Sequence, residues 1–284
     1  MGRISVQVLH TGEVCVSPYL PFGGENCSLM KASGFTTKKE DRLWLPVSVY
    51  LIEHPQGRIL FDTGWERAMS PEGAFDKDAQ IASLGSSMLY RTNQGVVPPG
   101  QTAREQLHAQ GIEPEDLDYV ILSHSDCDHA NGLPDLHGAK SYLVSAEELA
   151  CAQGKGFVIK TRFQSKWWEG VDFQTFDWNG TDGPAGRSYD LFGDGSIELV
   201  NIPGHTDGLV AMKITGDDGR YVLLSADGAY AAKSWEEMIL PGISMDKVAQ
   251  KASLQWIREQ SMDGRCIESI ANHDRDVEPH AIVL

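Results

Sequence analysis

The chain has 284 residues, 41% of them hydrophobic, which is enough to bury a sizeable core and excludes a wholly disordered or fibrous protein. Lys and Arg total 24 against 40 Asp and Glu, a formal charge of −16 that repels the phosphates of nucleic acid and the anionic face of a membrane. The longest apolar-rich segment, 43–52, falls far short of the roughly 20 residues that span a bilayer, and no early stretch has the basic start, apolar run and cleavage site of a secretion signal.

Taken in chain order, residues 1–64 read as strands. Ile4, Val6 and Val8 alternate with polar residues, and 43–53 and 58–61 flank the turn-like His54-Pro55-Gln56-Gly57, a hairpin that ends in Asp62-Thr63-Gly64. Residues 65–100 are too apolar for a linker and too irregular for one helix, so a partly helical connection covering a pocket is expected. Thr102 and Glu105 form a capping box ahead of a helix over 103–110. A buried strand over 118–123 runs into His124-Ser125-Asp126-Cys127-Asp128-His129, and a strand over 140–144 precedes a second box, Ser145 to Glu148, with a helix to about Gln153.

The segment 157–178 concentrates Trp167, Trp168, Trp178 and several Phe, and is read as an inserted lid whose aromatics pack on the body, contact substrate, or do both. Strands follow at 197–202, 209–215 and 220–225, the last two joined by the turn Gly216-Asp217-Asp218-Gly219. Ser244 is expected to cap a helix whose face carries Met245, Val248, Ala249, Ala252 and Trp256, stopping near Gly264. A final strand over 266–271 ends at Asn272-His273-Asp274.

Chemistry concentrates where strands end. His124, His129, His205 and His273 lie at such points, as do Asp126, Asp128 and Asp227, and imidazole with carboxylate is a donor set suited to Zn, Fe or Mn. Taken alone, His205 could be a turn residue, Asp227 a strand end and His273-Asp274 a surface pair. Their shared placement argues for them together.

In this order the motifs resemble the metallo-β-lactamase superfamily, most closely its N-acyl-homoserine-lactonase-like group. The residues that carry the resemblance are Phe61-Asp62-Thr63-Gly64, a variant of the HxHxDH signature at 124–129, Pro203-Gly204-His205-Thr206, Asp227 with Tyr230, and His273-Asp274. The resemblance implies an α/β (α+β) fold, a four-layer αββα sandwich of two mixed β-sheets with flanking helices, as one domain over 1–284 with pocket-covering segments at 65–100 and 155–190. It also implies two divalent ions, with zinc expected. His124, Asp126 and His205 would hold the first, Asp128, His129 and His273 the second, and Asp227 would bridge them. Asp62 would buttress the site as a partner of a ligand.

The implied reaction is quorum-quenching hydrolysis of a lactone or similar small ester by a hydroxide held between the metals, with Tyr230, Asp128 and Asp227 as the catalytic groups. Thioester hydrolysis of the glyoxalase II kind, phosphotriester hydrolysis, and a non-catalytic metal-stabilised binding protein are the alternatives.

The second histidine of the signature is Asp126 here. Three carboxylates with a bridging hydroxide neutralise two divalent cations, whereas the usual set leaves positive charge. A harder first site that accepts Mn²⁺ or Fe²⁺, and a less acidic water, are therefore expected. Cys127 is read as a packing residue. The five cysteines, odd in number and without paired spacing, suit free thiols in a reducing compartment. The chain is thus read as cytoplasmic, a monomer or homodimer, acting on a small molecule without nucleic-acid or membrane partners.

Overall fold

The computed structural model describes residues 2–284. Two sheets form. The first runs in the order β13 (Ala281–Val283), β1 (Ser5–Val16), β2 (Leu43–His54), β3 (Gly57–Phe61), β5 (Tyr119–Ile121), β6 (Tyr142–Leu143) and β7 (Phe173–Gln174), with β4 (Gln94–Val96) also paired to β1. The second runs β12 (Cys266–Ile270), β11 (Tyr221–Leu224), β10 (Val210–Thr215), β9 (Ile197–Asn201) and β8 (Ser188–Asp190). Both are mixed. Antiparallel β1–β2–β3 continues into parallel β3–β5–β6–β7, and β12 joins β11 in parallel beside antiparallel neighbours.

Strand periodicity explains the layering. In β2, Leu45, Val47, Val49 and Leu51 face one core while Tyr50 and Ile52 face another. In β11, Val222 and Leu224 face the second core and Tyr221 and Leu223 a third. Strands buried on both faces read as continuous apolar runs, which is why 43–52 lacks clean alternation. The second core lies between the sheets, and the other two lie under the helices on either side, giving the four αββα layers.

The expected hairpin forms in register, from Tyr50 opposite Phe61 to His54 opposite Gly57. One register change elsewhere matters for the site. Between His10 and Glu13, β1 carries one more residue than its partner stretch Ser48 to Pro46. Before this bulge Val6 and Val8 face the inter-sheet core; after it Val14 and Val16 face the other side. Gly12 sits in the bulge at φ +86°, where a Cβ would lie 2.1 Å from the Val96 carbonyl oxygen.

The first connection holds the single-turn helices α1 (Tyr19–Phe22) and α2 (Leu29–Ala32), and 65–100 contains α3 (Lys77–Leu84), α4 (Ser87–Thr92) and β4, a strand the sequence pattern did not show. Arg67 ties this region down, pairing with Glu105 at 2.5 and 2.9 Å and donating to the carbonyls of Ser70, Val97 and Pro98. α5 (Ala103–Ala109) starts on the expected capping box. Beyond it lie α6 (Cys127–Ala130), α7 (Ala146–Ala152), α8 (Phe157–Arg162), α9 (Ala232–Glu236) and α10 (Lys247–Ser261). No helix among the described residues is long and apolar enough to cross a membrane.

Three expectations need correction. The cap of α10 is Asp246, whose carboxylate accepts from the N–H groups of Val248 and Ala249, and not Ser244. Its inward face is Gln250, Ser253, Leu254, Trp256 and Ile257, while Met245 and Val248 are exposed. Two of these inward residues are polar because they satisfy backbone carbonyls, Gln250 that of Gly228 and Ser253 that of Pro203, and this masked the stripe. The strand at Cys266–Ile270 is followed by β13 on the far edge of the other sheet.

The aromatic segment is mainly structural. Trp167, Phe163 and Phe176 are buried, with Trp167 Nε1 donating to the Ser83 carbonyl at 3.0 Å, whereas Phe157 and Val158 are exposed beside a cavity. Thus 155–190 lines the pocket only through α8, with Phe157, Val158, Thr161 and Arg162, and the later part builds β7, β8 and inter-sheet packing. All five cysteines are free, and Cys127 is buried in the core as expected.

Candidate metal centre

Five strands deliver the site residues from their C-terminal ends, all to one edge of the sandwich. β3 leads to Asp62, β5 to the loop 124–129, β9 to His205, β11 to Asp227 and β12 to His273. The loops are strained where they turn: Asp62 and Ala226 adopt left-handed backbone at φ 62° and 44°. Gly204, at φ +134°, lets the His205 loop touch α10, where a Cβ would lie 2.3 Å from the Gln250 nitrogen.

All seven expected ligands converge. Asp126 Oδ2 lies 3.3 Å from His124 Nε2 and 2.8 Å from His205 Nε2. Asp227 Oδ1 lies 3.3 Å from His129 Nε2 and 3.2 Å from His273 Nε2, while its Oδ2 lies 3.7 Å from His205 Nε2. One carboxylate oxygen thus faces each half. Asp128 Oδ2 completes the second half at 3.4 Å from His273 Nε2. The donor atoms of His124–Asp126–His205, of Asp128–His129–His273 and of His124–His129–Asp227 each lie within 4.8 Å of one another.

Three imidazoles are held from behind. His129 Nδ1 meets Asp62 Oδ2 at 2.8 Å, His273 Nδ1 meets the Pro46 carbonyl at 2.8 Å, and His124 Nδ1 meets Ser123 Oγ at 3.0 Å. Ser123 Oγ in turn reaches Asp62 Oδ2 at 2.8 Å, so Asp62 steadies two rings, as expected of an outer partner. A proton on the outer nitrogen leaves each Nε2 lone pair pointing inward.

Those inward atoms test the fit to a metal. His124 Nε2, His129 Nε2 and Asp227 Oδ1 are buried without a hydrogen-bond partner. Acceptors facing acceptors are costly unless a cation lies between them, and an imidazole–carboxylate set suits a divalent transition ion. The electrostatics agree. Burial opposes the charged form of His129, yet Asp62 and Asp227 hold it well above the usual histidine range, and Asp227 raises His273 likewise. Against its burial, Asp227 is held well below the carboxylate range by His273 and His129. A field that stabilises a proton here stabilises a dication as well.

Two residues escaped the sequence reading. Glu148 lacks the reciprocal bond of a capping box and is instead buried, accepting from Ser125 N–H at 2.8 Å and from the Thr206 hydroxyl at 2.5 Å, which joins the His124 and His205 loops. A glutamate three residues after a serine gives no sign of this second use. The other is Arg162, at the end of α8, whose Nε and Nη2 reach the two oxygens of Asp126 at 2.5 and 2.6 Å. Against its burial, Asp126 is kept well below its usual range chiefly by this guanidinium. Arg162 thus adds to the site a positive charge that the count of ligand charges did not include.

A cavity of about 400 Å³ opens over the centre. Its floor is Asp126, Asp128, His205, Asp227, Tyr230 and His273, and its walls include Val14, Val16, Leu20, Leu45, Met88 and Phe157. The β1 bulge is what turns Val14 and Val16 toward it. Tyr230 is buried, stacks on His273 at 5.3 Å, and has its hydroxyl held well above the usual range by burial and by Asp227 and Asp126.

Such a sandwich, with a histidine–aspartate centre at one edge, defines a metallo-hydrolase-like fold. The chain belongs to the metallo-beta-lactamase superfamily, whose family model matches residues 42–237. It is 28% identical over 241 residues to the N-acyl homoserine lactonase AttM of Rhizobium radiobacter, covering 82% of this chain and 83% of that protein. Among solved structures it is similar to an N-acyl homoserine lactone hydrolase with N-hexanoyl-L-homoserine at its catalytic metal centre. That match has a TM-score of 0.73 and 20% identity, and covers 97% and 95% of the two chains. It is also similar to AidC, a dizinc quorum-quenching lactonase, with a TM-score of 0.64 and 14% identity over 96% and 88%.

Proposed function

We propose that the protein is a metal-dependent hydrolase that opens lactones, with N-acyl homoserine lactones as its substrate class and quorum quenching as the consequence. The observation that carries this reading is the convergence of seven donors, several with unpartnered lone pairs, beneath an apolar cavity whose floor five of them line. One domain over 1–284 serves the reaction, since both sheets contribute to the floor.

His124, Asp126 and His205 would hold one ion and Asp128, His129 and His273 the other, with Asp227 between. Zinc suits this set, and Mn²⁺ or Fe²⁺ suits the half containing Asp126. When bound, such ions acidify water and polarise a carbonyl oxygen. The chain's own residues do the rest. The apolar walls take the acyl chain and exclude water around the ring. Tyr230, kept protonated by burial, donates to the carbonyl oxygen as negative charge develops on it. Asp128, on the cavity floor, takes the proton from the attacking water and returns it to the departing ring oxygen.

The test is acid release from N-hexanoyl and N-dodecanoyl homoserine lactones by metal-loaded and chelator-stripped protein, beside a thioester and a phosphotriester. Lactone turnover by the loaded form alone is expected. Turnover of only the thioester or the phosphotriester would reassign the substrate, and no turnover with ions bound would favour a metal-stabilised binding protein.

A further inference from the structure

The two halves of the centre differ in what already faces them. In the second half, His129 Nε2 and Asp227 Oδ1 have no hydrogen-bond partner, and of the first half's three donor atoms only His124 Nε2 is likewise unpartnered. In the first half a cation of the chain itself is present. Arg162 Nη2 lies 2.6 Å from Asp126 Oδ2 and 2.9 Å from His205 Nε2, two of the three donor atoms that would face an ion there.

A guanidinium can only donate, and a neutral imidazole has one lone pair. If Nη2 donates to His205 Nε2, that lone pair is committed, and the ring proton sits on Nδ1. This nitrogen is buried without a partner, unlike the anchored Nδ1 atoms of His124, His129 and His273. His205 therefore lacks the backing that fixes the other three rings for a metal.

Chemistry also links Arg162 to Asp126. A neutral imidazole at position 126 would give the guanidinium no anion to pair with, whereas the carboxylate accepts it as a two-pronged fork. Finally, the arginine rides on a weakly anchored element. α8 spans Phe157–Arg162 and buries none of its six residues, so withdrawal of the side chain disturbs little core packing.

We propose that Arg162 is an internal cation occupying the His124–Asp126–His205 half in competition with a metal ion, so that the centre fills in two unequal steps. The Asp128–His129–His273–Asp227 half fills first. The first half fills only when the guanidinium leaves. This rests on the reading of the cluster as a metal centre.

The test is equilibrium dialysis of the full chain against buffered free Zn²⁺, with bound zinc counted by elemental analysis, for wild type, Arg162→Met and Arg162→Gln. Circular dichroism serves as the check on folding. Expected for wild type is one tight ion and a second at least about tenfold weaker, with both variants tightening the second by about tenfold or more and leaving the first unchanged, as expected when about 1.4 kcal/mol of competition is removed. Two ions of equal affinity in wild type would overturn the proposal, and so would variants whose second ion is unchanged or weaker. If the variants fail to fold, the wild-type isotherm alone still decides. No zinc in any form would overturn the metal-centre reading itself, an outcome distinct from two equal ions.

Discussion

Asp62→Asn replaces a fully buried carboxylate by a group of the same shape, and Asn tolerates the left-handed backbone at φ 62°, so strain does not confuse the result. The carboxylate accepts three bonds: from Ser123 N–H at 2.7 Å, from the Ser123 hydroxyl at 2.8 Å and from His129 Nδ1 at 2.8 Å. An asparagine that keeps its oxygen toward Ser123 N–H must turn its amide NH₂ toward the hydroxyl and the imidazole. The hydroxyl can rotate and accept. The His129 Nδ1–H cannot, so the ring must move its proton to Nε2, which faces Asp227 across the centre. A protonated Nε2 is no ligand.

Bonds to charged groups contribute about 1.5–3 kcal/mol each and neutral ones about 1. Losing one and weakening two therefore predicts a loss of about 3 kcal/mol, reduced by relief of burying a charge. Zinc affinity should fall by about 10–100-fold, as for loss of an outer-shell partner. Urea unfolding of the stripped protein and competition with a chromophoric chelator measure the two effects. A variant within about 0.5 kcal/mol of wild type, below the size of a single such bond, with zinc affinity unchanged would refute the argument.

Asp227→Ala should remove most bound metal and all turnover, since its oxygens face both halves at 3.2 to 3.7 Å, and elemental analysis showing full loading would contradict the bridge. Tyr230→Phe should lower kcat by about 100-fold, the usual loss for one oxyanion donor, with zinc content unchanged; unchanged kcat would leave only the packing on His273. Trp167→Ala should cost about 3–5 kcal/mol in urea unfolding through loss of a fully buried ring, and zinc stoichiometry at low denaturant should stay at the wild-type value because Trp167 touches no donor.

Glu105→Gln probes the Arg67 pair that ties down 65–100. Burial works against the Glu105 carboxylate, but Arg67 dominates and its pKa is lowered. A depressed acid stabilises above its unfolded pKa, and that contribution is lost as pH falls through the folded one. Wild type should exceed the variant by about 1 kcal/mol at neutral pH, discounted for solvent screening. The gap should close below about pH 4.3. A gap that persists in acid would point to packing.

Much of the architecture was legible because strands announce themselves locally. The hairpin 43–61, the Thr102 capping box and the strand-end placement of His124, His205, Asp227 and His273 all depend on neighbours in sequence. What escaped depends on distant partners. β4 becomes a strand only because β1 offers Glu13–Cys15 as an edge, and β13 only because β1 also offers Ser5–Gln7. The inward face of α10 was hidden because Gln250 and Ser253 are buried to serve carbonyls of other loops. Within the site, the candidate ligands were visible as types at strand ends, but the cationic partner of Asp126 was not. Arg162 is 36 positions away in a segment whose aromatics drew attention instead.

The position of Arg162 also connects the cavity wall to the charge balance on its floor. α8 carries Phe157 and Val158, exposed at the cavity, one turn before the arginine that neutralises Asp126. A ligand that contacts Phe157 and Val158 therefore touches the same six-residue helix that holds the guanidinium beside Asp126 and His205. Apolar wall and metal-site charge thus share one element. The net charge of −16 said nothing of this, because the local balance is set by one cation placed among three carboxylates, while most of the other acidic groups face solvent.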